Sequence, residues 1–142
     1  MNIEQRLYNE AIELIEKRYP EGWGGAGAIA LEDGTIHTSV APEIINDSTV
    51  VCIETGAILE AHKLNKKITH SLCVVRDDEQ SPYKVLSPCG ICQERLFYWG
   101  PTVKVGVTLP GKKLTFKTLA EVQPYHWSAA YDDITEKWNP LK

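Results

Sequence analysis

Val51-Cys52-Ile53-Glu54-Thr55-Gly56-Ala57-Ile58-Leu59-Glu60-Ala61-His62-Lys63-Leu64, joined further along by Val85-Leu86-Ser87-Pro88-Cys89-Gly90-Ile91-Cys92, is where the fold is read most directly. Apolar residues at Ile53, Ala57, Ile58, Ala61 and Leu64 recur at helical spacing, which predicts a helix beginning near Cys52 and running over 52–64. A further helix is predicted over 89–99, opened by Pro88 and closed by Gly100-Pro101. Cysteines therefore stand where both helices begin.

Between these helices the run Ile68-Thr-His-Ser-Leu-Cys-Val-Val75 predicts a strand, and 76–83 reads as a charged loop. Upstream, Ile3, Leu7, Ala11, Leu14 and Ile15 give a first amphipathic helix over 2–18, ended by Pro20. The glycine-rich run 22–27 reads as a flexible loop, and the Asp33-Gly34 turn joins strands at 28–31 and 35–40 into a hairpin. Short strands at 103–108 and 113–116 flank a Pro110-Gly111 turn. The order α-β-β-α-β-α-β-β predicts one mixed sheet covered by helices, an α/β sandwich.

A chain of 142 residues that is 43% hydrophobic can bury one sizeable core, so residues 1–142 are expected to form a single domain. The balance of 15 Lys+Arg against 19 Asp+Glu gives a net charge of −4, and no basic stripe marks a nucleic-acid surface. A nucleic-acid partner is not expected. No run approaches the roughly 18 consecutive apolar residues of a membrane span, and Met1-Asn-Ile-Glu-Gln-Arg6 does not resemble a signal peptide. A soluble, cytoplasmic protein is expected, in which cysteines at Cys-x-x-Cys spacing favour metal over disulfide.

Cys89 and Cys92 are three apart, so one helical turn can aim both sulfurs the same way. The positive end of a helix favours thiolate over thiol. Three thiolates, Cys52 included, would leave a tetrahedral zinc with its fourth position open, as in catalytic rather than structural zinc sites; a structural zinc site or buried free thiols is the alternative. Cys73, mid-strand, and His62, far down its helix, are poorly placed to close the set. Glu54, two residues beyond Cys52, can lie beside the open position and move a proton without being a ligand.

Cys52-Ile53-Glu54 followed by Ser87-Pro88-Cys89-Gly90-Ile91-Cys92 resembles the cytidine deaminase family, whose hallmark is Cys/His-x-Glu and then Pro-Cys-x-x-Cys. Within it, the Val85-to-Cys92 stretch is similar to the subgroup that includes blasticidin S deaminases. Gly27-Ala28, the Asp33-Gly34 turn and Pro124-Tyr-His-Trp-Ser128 extend the resemblance over most of the chain. It implies a three-layer α/β/α sandwich with a mixed five-stranded sheet, Zn2+ held by Cys52, Cys89 and Cys92, and Glu54 as proton shuttle. The implied reaction is hydrolytic deamination at C4 of a cytosine nucleoside, and the implied assembly is a homo-oligomer, dimer or tetramer.

For the substrate, the resemblance implies Glu43 at a ribose hydroxyl, backbone groups near Ile53 and Ser87 at the base edge, and Trp127 covering the base, in many members from a neighbouring subunit. Two positions depart from the family. Ala41 stands where an Asn amide binds beside Glu43, a hydrogen bond worth about 1–3 kcal/mol, so modified cytidines, blasticidin S-type compounds or another aminopyrimidine are alternative substrates. Thr55 stands where an Arg contacts the zinc thiolates, and Arg95, one turn beyond Cys92, is the candidate substitute. The alternative from another class is a catalytically silent zinc-stabilised binding module.

Other signals are set aside. Gly22-x-Gly24-x-x-Gly27 follows a helix and leads into a strand, the reverse of a dinucleotide-binding turn. His37, His62, His70 and His126 show no metal spacing and read as surface or strand residues. Leu96-Phe-Tyr-Trp99 reads as core or interface, and Asp132-Asp133 as a solvated face.

Overall fold

The computed structural model describes residues 1–131; the Asp132-Asp133 expectation lies outside them. Helix α1 spans Ile3–Arg18, with the Asn2 side chain accepting the Gln5 N–H at its start. Strands β1 (Gly24–Leu31) and β2 (Ile36–Ser39) form the expected hairpin, turning through Gly34 at φ 84°. Helix α2 (Thr55–Leu64), strand β3 (Ile68–Arg76), strand β4 (Lys84–Val85) and helix α3 (Gly90–Leu96) follow. Strands β5 (Lys104–Gly106) and β6 (Phe116–Thr118) precede the short helix α4 (Leu119–Val122). Among the described residues no helix is long and apolar enough to cross a membrane.

The strands form one sheet in the order β2-β1-β3-β5-β6, antiparallel except for the β3–β5 pair. Alternation along β1 divides the core. Ala26, Ala28 and Ala30 face α1 and meet Leu7, Ala11 and Ile15, whereas Ile29 and Leu31 face the other way and meet Ala57, Ile58, Ala61 and Leu96 of α2 and α3. The molecule is thus the three-layer sandwich that the resemblance implies.

Three expectations are corrected. The sheet has six strands, not five: β5 pairs only with His70 and Ser71 of β3, and Lys84 and Val85 add β4 along the edge that β5 leaves open at Val74 and Val75. The glycine run is no flexible loop, because Gly24–Leu31 is a fully buried strand. Its missing side chains serve close approach: a Cβ at Gly24 would lie 2.7 Å from Ile15, and one at Gly27 would lie 3.1 Å from the Glu54 backbone. The last strand begins at Phe116 rather than 113, with α4 capped by reciprocal bonds between Thr118 and Glu121.

Candidate active site and metal centre

Helix α2 begins at Thr55, three residues later than expected, which leaves Cys52-Ile53-Glu54 as a turn ahead of it, with Glu54 at the N-cap position. Three contacts seat this turn on the sheet. The Ser39 hydroxyl donates to the Ile53 carbonyl at 2.7 Å, the bare Cα of Gly27 lets the Glu54 backbone close on β1, and Gly56 lets α2 lie against Ser39. Cys89 is the N-cap of α3 and Cys92 lies in its first turn, so the positive end of α3 lies at these two sulfurs.

The sulfurs of Cys52, Cys89 and Cys92 all lie within 4.8 Å of one another, the only such cluster of His, Cys, Asp or Glu among the described residues. Cys52 and Cys89 approach to 3.2 Å, against about 3.8 Å between sulfurs on a tetrahedral zinc. Opening that pair by about half an ångström accommodates the ion, so the donor set fits zinc. The fourth cysteine, Cys73, is a buried free thiol on β3 and stands outside the cluster.

Burial pushes the Cys52 and Cys92 thiols up. Burial also acts on Cys89, but hydrogen bonds from the Cys92 backbone, the Cys52 side chain and the Ile91 backbone outweigh it and hold that thiol below its ordinary value. A bound dication reverses the penalty on the other two. Glu54 is 5% exposed, and burial raises its carboxyl against hydrogen bonds that include the Cys92 and Cys73 side chains. It is a buried carboxyl beside the three sulfurs and not one of the ligands.

No protein-family model matches the sequence. The chain is 30% identical over 135 residues to a blasticidin-S deaminase of Bacillus cereus, covering 89% of this chain and 96% of that protein. It is also similar to the crystal structure of the cytidine deaminase from Bacillus anthracis, at 61% identity and a TM-score of 0.95, over 97% of this chain and 99% of that one. The chain belongs to the cytidine deaminase family. At 22% identity the cytidine deaminase of Mycobacterium leprae has the same fold, with a TM-score of 0.65 over 84% of this chain and 96% of that one.

The expected substrate residues are more scattered. Glu43 lies on the surface, its carboxylate 3.2 Å from Arg18 of α1, and Ala41 precedes it in the segment after β2. The Ile53 carbonyl is taken by Ser39, and the Ser87 N–H donates to the Thr108 hydroxyl at 2.9 Å while the Ser87 hydroxyl accepts from Thr108 N at 2.8 Å. Arg95 does reach the start of α2, where it donates to the Thr55 hydroxyl at 3.3 Å rather than to a sulfur. Leu96, Phe97 and Trp99 are core, as expected.

Two features escaped sequence reasoning. Ser39 looks like any strand serine until β2 is laid against the Cys52–Glu54 turn. His126, read as a surface or strand residue, is instead 6% exposed and bonded to Glu94 at 2.7 Å; no spacing rule links residues so far apart in sequence. Ser39→Ala removes the hydrogen bond at Ile53 without adding bulk. It is expected to leave the circular dichroism spectrum unchanged and to lower kcat about tenfold, since a displacement of the turn moves Cys52 and Glu54 together.

Proposed function

We propose that the protein, as a single domain over residues 1–142, hydrolyses the exocyclic amino group from C4 of a cytosine nucleoside, releasing ammonia. The observation that carries this reading is the buried Glu54 carboxyl set next to, and outside, a cluster of three cysteine sulfurs. Zinc held by Cys52, Cys89 and Cys92 would supply the Lewis acidity that makes water a nucleophile at neutral pH. Glu54 takes the proton released as water adds to C4 and delivers it to N3 of the ring. It then transfers the remaining water proton to the departing amino group, so that ammonia leaves and a uracil ring remains. Its buried position keeps bulk water from competing for that proton.

The substrate is a small nucleoside. Glu43 accepts a ribose hydroxyl, the backbone near Ile53 and Ser87 binds the base edge through groups other than the engaged Ile53 carbonyl and Ser87 N–H, and Trp127 covers the ring. Trp127 is tied to Glu94, about 200° round α3 from Cys92 at 3.6 residues per turn. That placement supports a homo-oligomer, dimer or tetramer, in which the aromatic cover serves a neighbouring copy. The four free thiols suit a reducing, cytoplasmic setting.

Ala41 and the similarity to a blasticidin-S deaminase favour a second reading, in which the preferred substrate is a cytosine nucleoside with an altered sugar. A panel of cytidine, deoxycytidine, cytosine, blasticidin S and N4-substituted cytidines, followed by ammonia release, separates the two. Comparable kcat/KM for cytidine and deoxycytidine, at least about tenfold above free cytosine, is expected from a sugar contact at Glu43. Turnover confined to blasticidin S establishes the second reading, and zinc binding without turnover of any compound points to a substrate outside the panel or to the binding module.

A further inference from the structure

Cys73 is the cysteine that the metal cluster leaves over, and the fold places it against Glu54. Side chains alternate along β3: Leu72 and Val74 join the core under α1, so Cys73 between them faces α2 and α3. In the ladder with β1 it stands opposite Gly27, and residues directly opposite each other across an antiparallel pair project from the same face of the sheet. Gly27 has no side chain to fill that face. The Glu54 backbone occupies the space instead, 3.1 Å from where a Cβ would stand. Thiol and carboxyl are therefore neighbours, each residue 5% exposed, and their side chains share a hydrogen bond.

The Glu54 carboxyl accepts from its own backbone N–H and from the Cys92 and Cys73 side chains. The two thiols differ once a metal is held. Cys92, as a zinc ligand, is a thiolate and has no proton to give. Cys73 stands outside the ligand set and burial pushes its thiol up, so it keeps its proton and remains a side-chain donor to Glu54. Its backbone is fixed, because β3 pairs with β1, β4 and β5 and the Cys73 carbonyl accepts the Leu86 N–H at 3.0 Å. The donor thus sits on the most rigid part of the sheet.

We infer that Cys73 is a positioning residue for the proton shuttle: its S–H holds one oxygen of the Glu54 carboxyl and leaves the other to exchange protons with water and the ring. This rests on the deaminase reading above. Glu54 moves protons and does not bind the sugar, so loss of the thiol lowers kcat and spares KM.

The first readout is infrared and needs no turnover. The chain has four cysteines, and in the zinc-loaded, full-length protein three of them are thiolates, so the S–H stretching band belongs to Cys73 alone. Cys73→Ala abolishes that band and so identifies it. A hydrogen-bonded S–H stretches at lower frequency than a free one, and Glu54→Ala is expected to move the band up to the free-thiol position with zinc still bound. The second readout is kinetic, with cytidine as substrate. Cys73→Ala is expected to lower kcat about tenfold, with KM within about twofold of wild type and one zinc per chain. Cys73→Ser loses the same sulfur but keeps a donor, and is expected to recover most of that kcat.

A band that stays in place in Glu54→Ala, a Cys73→Ser enzyme no more active than Cys73→Ala, or a Cys73→Ala loss that appears in KM or in bound zinc would each overturn the inference. With an active wild type, any of these sinks the role of Cys73 alone. A wild type inert toward every cytosine nucleoside sinks the deaminase reading, and the role of Cys73 with it.

Discussion

Glu54→Ala is expected to lower deamination by about 10⁴-fold, the upper range for loss of a general acid–base group, while zinc stays bound at one ion per chain. The three sulfurs form the cluster without Glu54, so the metal survives its loss. Proton transfer does not, because in the proposed mechanism one carboxyl performs each of the transfers to the ring and to the leaving nitrogen. Glu54→Gln keeps the shape and is expected to be as inactive. Burial raises the Glu54 carboxyl in the folded chain above its ordinary value, so ionising it works against folding. In the metal-free protein that penalty is absent below the ordinary carboxyl range and grows as pH rises through the raised folded value. Metal-free Glu54→Gln is therefore expected to be more stable than metal-free wild type at neutral pH, and the gap should close on acidification. Urea unfolding at the two pH values, with zinc content and ammonia release at neutral pH, checks the three statements together.

Cys92→Ala is expected to have the second largest effect. Cys92 is fully buried and belongs to the core that joins α2, α3 and β5, so its loss removes a ligand and leaves a small cavity. Zinc content should fall from one per chain to below about a tenth, since two thiolates at the mouth of an open site no longer surround the ion. Activity falls with it. Removing zinc from the wild-type chain with a chelator should abolish turnover in the same way, and restoring zinc should bring it back, whereas zinc restores nothing to Cys92→Ala. Elemental analysis alongside ammonia release measures both effects.

Much of this was legible in the sequence for a physical reason. A three-residue Cys spacing on a helix and a Cys-x-Glu ahead of another are local patterns, and local patterns survive without knowledge of tertiary contacts. The amphipathic faces of α1 and α2 were equally plain. What was hidden depends on partners distant in the chain. Residues 24–27 read as a loop because glycine has low strand propensity, yet they are strand because they pair along β3, and Gly24, Gly25 and Gly27 stand where Ile15, Tyr19, Ile53 and Glu54 leave little room for a side chain. Lys84 and Val85 are too few to show alternation and pair only because β3 outruns β5. Cys52 fell outside α2 because the chain must turn there to bring its sulfur toward Cys89. The Ser39 and Glu94 contacts have no sequence signature at all, since each joins elements that only the sheet and the C-terminal segment bring together.

The most direct test of the account is to incubate the zinc-loaded protein with cytidine carrying heavy nitrogen at its exocyclic amine. The product is then identified by mass spectrometry. Uridine and labelled ammonia are expected in equal amounts, with neither formed by Glu54→Ala. Cytidine left intact together with every other cytosine nucleoside, or equal turnover by Glu54→Ala, would contradict it.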